Sequence, residues 1–371
     1  MFVGIANTPR DYAWGSTRDI AGLLRRPASG GPEAEYWLGT HPGSPSRLVG
    51  DRTRTLADVT ALPFIMKVLA AETPVSLQAH PSTAQAVEGF ARENAARIPL
   101  DAANRNYKDD RHKPELIYAV SERFEALCGF RSVAASRVCV AKFGDAAPIL
   151  DFLARLSSDS SLPAVFSWLL DGGADVAALL EHVVEVAPGV EGIEAETVVS
   201  LERDYPGDPG ILVSLLLNRV TMRKGEVIYL PAGNIHSYLH GLGIEVLASS
   251  DNVLRGGLTP KHVDVAELRR VLDFRPLPVP FLEPLVPSSG VEVFRPDVPD
   301  FELVVVKPDG HDANYTIERD AIALCIEQPV SISGARGSVA LQPGDAVYIT
   351  ADEGALEIVG AGTLFLSSAQ S

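Results

Sequence analysis

The sequence predicts a mainly β protein with an α-helical insertion, built as two related jelly-roll β-barrels plus a helical domain. Three observations carry this. In the last hundred residues FELVVVK, AIALCIE, VSIS, SVALQ, DAVYIT, ALEIVG and TLFLSSA form short strands at regular spacing, the pattern of an antiparallel sandwich or jelly roll. Between 133 and 220 the texture changes, and APILDFLARL, LPAVFSWLLDGG, VAALLEHVVEV and ILVSLLLNRV place apolar residues at helical spacing. GEVIYLPAGNIH (225–236) is then echoed by GDAVYITADEG (344–354), each a Gly-acid turn, an alternating strand and a second turn.

Taken in order, 1–80 and 113–131 read as short strands broken by Pro/Gly turns, with FIMKVL and VSLQAH as brief β runs. Residues 82–104 read as a helix that Ser82 can cap. The strand texture returns at 221, KHVDVAELRRVLDF reads as a short helical connector, and the proline-rich 275–290 as a linker or edge strand. The expected organisation is a catalytic barrel from 1–132 and 221–274 with a helical excursion at 82–104, an insertion at 133–220, and a degenerate β unit at 275–371. That last unit has Thr350 where the first copy has Pro231 and no histidine after it, so packing against the catalytic barrel is its expected role.

With 371 residues, 46% hydrophobic and 22% charged, the chain reads as globular, not disordered. A net charge of −16 excludes nucleic acid and anionic membrane as main partners, since both need a basic footprint. No stretch approaches the roughly 18 apolar residues of a membrane span. Cys128, Cys139 and Cys325 are odd in number and lack CxxC spacing, and MFVGIANTPRDYAWGS is no signal peptide, so a cytoplasmic location is expected. Thirteen acids against three bases fall in 141–210, so the acidity is expected to lie on the insertion, away from any pocket.

Gly225-x5-Pro231-x-Gly233-x2-His236 is the spacing of the second cupin motif. A lone turn histidine more often satisfies local backbone, but the full pattern points His236 into a barrel as a metal ligand. In VSLQAHPS, Ser76, Gln78 and His80 fall on one face of a strand. DDRHKPELIYAV adds Glu115 at the start of an apolar strand, beside His112 and Lys113. Two imidazoles, a carboxylate and an amide oxygen make an N/O donor set suited to zinc, with positions left for water or substrate.

AEYWLGTHPGSPS, LPFIMKVLAAETPVSLQAHPS, YKDDRHKPELIYAV and YLPAGNIHSYLHGLGIEVLASSDNVLRGGLTPKHVDV, opened by NTPRDYAWG, resemble the type I mannose-6-phosphate isomerase family over the first 265 or so residues. The resemblance implies one Zn2+ per chain on Gln78, His80, Glu115 and His236, with Arg255 catalytic. It also implies a pocket lined by Ser76, Lys113, Tyr238, Glu245 and Lys261. Departures are PSTAQ where a lysine is common, Tyr36 where leucine is usual, and His240 where the motif often has asparagine, read as a rim residue. His41 and His182 read as structural, and His262 and His311 as surface residues.

The implied reaction interconverts mannose 6-phosphate and fructose 6-phosphate through a cis-enediol. Arg255 would hold substrate oxygens or negative charge, and Lys261 and Ser76 the phosphate or sugar oxygens. The proton carrier stays open between Lys113, His112, Glu245 and a hydroxide held by the metal. The expected partner is a small sugar phosphate, with the chain a monomer or weak homo-oligomer. The competing readings are an Fe(II) cupin oxygenase, which would use two histidines and a carboxylate without Gln78, and a non-enzymatic sugar-binding cupin.

Overall fold

The computed structural model describes residues 1–308 and 312–370, so His311 lies outside the described residues. The organising element is the long strand His236–Ala248. Its second half sits in an antiparallel sheet ordered Val227–Leu230, Glu115–Ala119, His236–Ala248, Phe64–Ala71 and Glu35–Gly39. Its first half pairs with Arg123–Phe130 and Gln78–Ala79, which add Leu217–Arg223 and Leu254–Arg255 at their outer sides. The strand passes between the two pairing sets at a bulge between Tyr238 and His240. Gly241 permits this: its φ is +129°, and a Cβ there would lie 2.7 Å from the Phe124 ring.

Strand alternation decides what faces the interior. Phe64, Met66, Val68 and Ala70 join Leu116, Tyr118 and Val246 in one apolar core, packed against Phe294, Leu303 and Phe365 of the C-terminal sheet. The other face of the same strand carries Lys67, which stands opposite Glu245 on one side and Trp37 on the other. A period of two thus turns charges inward while the apolar face makes the contact between β units. Tyr118 packs edge-on against both Phe294 and Phe365, with centroids 5.9 and 5.0 Å apart. Phe365→Ala should therefore cost about 3–5 kcal/mol, read as a lower unfolding midpoint in denaturant.

The C-terminal sheet runs Leu285–Ser288, Val291–Phe294, Glu302–Val306, Thr363–Ser368, Ala321–Ile326, Ala346–Ile349, Phe2–Ala6, Arg47–Leu48 and Asp51–Thr55. It faces a four-stranded sheet of Ala313–Thr316, Ala355–Gly360, Val330–Ser333 and Ser338–Leu341 across a core of Val304, Ala323, Ile332 and Leu356. Phe2–Ala6 pairs with Ala346–Ile349, so the first strand of the chain stitches the N-terminal region to the C-terminal sheet. The sequence echo has a structural counterpart: Gly225 and Gly344 have φ of +96° and +95°, and each precedes a strand, Val227–Leu230 and Ala346–Ile349. The proline-rich path ends in Leu285–Ser288, an exposed edge strand.

Helix Thr83–Ala95 starts at Ser82, whose hydroxyl accepts from Gln85 N–H while the Gln85 side chain returns to the Ser82 N–H, a capping box. The insertion comprises Val133–Ala141, Ala147–Arg155, Leu162–Asp171, Ala174–Val186, Ile193–Asp204 and Gly210–Ser214. Phe166 sits against Phe130 of strand Arg123–Phe130 and Phe274 of the connector, at 5.9 and 5.5 Å, which fixes the insertion on the sheet. No single helix among the described residues is long and apolar enough to cross a membrane. All three cysteines are unpaired and buried, as their spacing predicts.

Candidate functional site

Between the two pairing sets of the long strand, His80, Glu115 and His236 converge with ligating atoms all within 4.8 Å of one another. His236 stands directly opposite Gln78, and Gln78 opposite Arg255, so these three side chains emerge on one face. His80 Nδ1 lies 2.7 Å from the Asn252 carbonyl and His236 Nδ1 3.1 Å from the Asn234 carbonyl. Each Nδ1–H donates to backbone, which leaves Nε2 as the lone-pair nitrogen. Those two Nε2 atoms lie 3.2 and 3.3 Å from the Glu115 carboxylate and, with Glu115 Oε2, are buried without a hydrogen-bond partner.

Three buried, unpartnered ligand atoms aimed at one point fit a cation. Burial, with Lys113 acting the same way, pushes the His80 imidazole down to about 4, so it is neutral near pH 7. Burial would raise the Glu115 carboxyl, but the Lys113 ammonium, 2.7 Å away, and the imidazoles hold it well below the usual carboxylate range. Two imidazole nitrogens, one carboxylate and the Gln78 amide opposite His236 suit zinc with an open position.

Glu115 of the cluster, with Gln78, lines a cleft of ≈ 1620 Å³. Its deep wall is charged: Lys67 Nζ lies 3.0 Å from Glu245 and 3.5 Å from Glu35, and sits 4.7 Å from the Trp37 ring centroid. Burial works against the Lys67 charge, yet Glu245 and Glu35 raise its pKa overall, while burial pushes the Glu245 carboxyl up. Glu35, Glu115 and Glu245 thus outnumber Lys67 and Lys113, and a bound divalent cation would reverse the sign of this interior.

The outer wall differs. Arg255, half-buried, and Lys261, exposed, line the cleft, and neither has an ion pair or side-chain hydrogen bond among the described residues. Burial lowers the pKa of both, and for Lys261 the nearby Arg255 lowers it further. Two adjacent, unpaired cations form an anion-binding end. Ser76 and Tyr238 also line the cleft, and the buried Tyr238 hydroxyl has no partner.

His112 is the sequence-predicted site residue that the structure leaves out. It does not line the cleft, and its Nε2 lies 2.8 Å from Asp300 of the C-terminal unit. His41 accepts from the Gly43 N–H, His182 contacts the Phe143 carbonyl at 3.1 Å, and His240 and His262 are exposed. Tyr36 is buried, its hydroxyl accepting the Asn7 N–H at 3.0 Å. Sequence reasoning missed Lys67, Glu35 and Trp37; the signal was the charge in the apolar run FIMKVL and its like in EYWLG. It also missed the insertion loop: Asp204 and Asp208 line the cleft, so the insertion's acidity is not all remote. Asp204 is held by Arg203 at 2.8 Å, and the Asp208 carboxylate by backbone N–H groups.

Residues 2–133 match the family described as phosphomannose isomerase type I, catalytic domain. The chain is 33% identical to mannose-6-phosphate isomerase of Escherichia coli (strain K12), covering 97% of each chain. It is 30% identical to the Rattus norvegicus enzyme of the same name, over 93% of this chain and 92% of that one. Among solved structures, a zinc-bound holo mannose 6-phosphate isomerase superposes with TM-score 0.91 at 33% identity, covering all of both chains. So does the Salmonella typhimurium mannose 6-phosphate isomerase bound to substrate, fructose 6-phosphate, and zinc, at TM-score 0.91 and 33% identity. His80, Glu115 and His236 by themselves would also suit an iron centre of two histidines and a carboxylate; these full-length likenesses favour zinc.

Proposed function

The chain belongs to the type I mannose-6-phosphate isomerase family, and from that premise we propose how its cleft interconverts mannose 6-phosphate and fructose 6-phosphate. The observation that carries the reading is the buried His80–Glu115–His236 cluster at the foot of a cleft whose outer wall holds two unpaired cations. The reaction moves a proton between C2 and C1 of the open-chain sugar through a cis-enediol, while charge builds on O1 and O2. Gln78, His80, Glu115 and His236 would hold the zinc, which when bound would supply Lewis-acid polarisation of those oxygens.

Arg255 stays protonated and presents a planar fork of donors to the same developing charge. Lys261 and Ser76 hold the phosphate, and the unpartnered Tyr238 hydroxyl donates to a sugar oxygen. Lys113 and Glu245 are the side chains assigned to the proton transfer, because both line the cleft beside the metal ligands and His112 does not. Trp37, Ile65 and Leu247, packed together in the cleft lining, give the enediol an apolar wall. The Lys67–Glu245 and Lys67–Glu35 contacts hold Glu245 in place.

We place the reaction in the cytoplasm, since three buried, unpaired thiols suit a reducing compartment. Metal analysis of the purified protein with a coupled assay for fructose 6-phosphate tests the function. Zinc and turnover of mannose 6-phosphate are expected. Iron with oxygen consumption, or zinc with no turnover, would reject it.

A further inference from the structure

We infer that Asp208, delivered to the cleft by the helical insertion, is the positioning residue that fixes Arg255 and Lys261 relative to each other, making the insertion part of the substrate site. This rests on the sugar-phosphate reading above. The turn between the two cations is unusual: Gly257 has φ of +119° and Leu258, a non-glycine residue, +53°. Such a backbone persists only where its surroundings hold it. Here the support comes from one carboxylate on another segment. Asp208 Oδ1 accepts the Leu258 N–H at 2.9 Å and Oδ2 accepts the Thr259 N–H at 3.1 Å, while Oδ1 also takes the Gly210 N–H at 2.7 Å.

The two segments touch backbone to backbone. A Cβ on Gly257 would lie 2.8 Å from Gly210 Cα, and one on Gly210 would lie 2.9 Å from Leu258 N. The same insertion loop is fastened to the Ser76 segment, because the Tyr205 hydroxyl donates to the Pro74 carbonyl at 2.7 Å. The Ser76 segment in turn exchanges Leu77 N–H to Gly257 O and Gly256 N–H to Leu77 O, at 3.0 and 2.8 Å. Ser76, Arg255 and Lys261 therefore stand on two segments that one loop of the insertion clamps together. The Leu258 side chain is fully buried in an apolar core that the insertion shares with the Leu77 and Leu254 segments.

Asp208 donates nothing to the substrate in this arrangement, and its charge is taken up by the three N–H groups. Its removal frees the turn that spaces the cations but leaves Arg255, Lys261 and the metal ligands in the chain. The prediction is a loss of substrate affinity without loss of metal.

The test uses the full-length, zinc-loaded protein with mannose 6-phosphate and amide hydrogen exchange over 254–262. In Asp208→Ala, Arg255 keeps its register opposite Gln78, so kcat should change by less than about threefold; Lys261, beyond the freed turn, loses its place, so KM should rise at least about tenfold and exchange at Leu258 and Thr259 should accelerate. Zinc content should equal that of the wild type. Asp208→Asn keeps the shape and one acceptor oxygen, so it should fall between the two, and it decides the matter if the alanine variant does not fold. A folded variant with wild-type KM, or a raised KM with unchanged exchange at 258–259, overturns the inference. Wild-type protein lacking isomerase activity would instead reject the functional reading.

Discussion

His236→Ala is expected to lose zinc and isomerase activity together. The imidazole is 1% exposed and supplies one of two ring nitrogens in the cluster, so nothing nearby replaces it. Loss even of a partner that merely orients a ligand typically costs about 10- to 100-fold in metal affinity or activity, and loss of the ligand itself should exceed that. Removing the ring also leaves the Glu115 carboxylate, already beside only one ammonium, without the imidazole 3.3 Å away. Elemental analysis after dialysis should find little zinc, with turnover at background. Full metal content in a folded His236→Ala protein would remove His236 from the ligand set.

Arg255→Ala should separate chemistry from metal binding. The guanidinium stands opposite Gln78 in register yet touches no carboxylate among the described residues, so its loss orphans no partner inside the protein. Zinc content and melting temperature should stay close to wild type. Turnover should fall by about 10²- to 10³-fold, the usual cost of removing one preorganised donor from a developing oxyanion. Arg255→Lys keeps the charge but loses the fork and should recover only part of the rate. Wild-type turnover in Arg255→Ala would take this residue out of the mechanism.

The candidate ligand set was legible because its residues lie in short local patterns. Gln78 and His80 are two apart on an extended segment, Glu115 opens an apolar strand, and His236 closes a turn that Gly233 shapes at φ +80°. Strand alternation predicts a common face for Gln78 and His80, while register between strands brings His236 and Glu115 to them. His112 shows the limit of that logic. It neighbours Lys113 in sequence, and adjacent residues on an extended chain point apart, so Lys113 meets Glu115 while His112 meets Asp300. The charge reading failed in a related way. Summing acids over 141–210 treats the insertion as one remote block, yet the loop after Ile193–Asp204 folds back to the cleft.

The sequence alone determined the β character and the helical insertion, because both are written in spacing over fewer than about twenty residues, and it pointed to the family and the candidate ligands through short motif blocks in a fixed order. Only the tertiary structure decided which charges share the interior, since Lys67, Glu35 and Glu245 meet by strand register across distant segments. It alone also joined the insertion to the substrate site through Asp208 and the turn at Gly257–Leu258. Contacts between segments some fifty residues apart depend on how whole elements pack, and no local pattern encodes that.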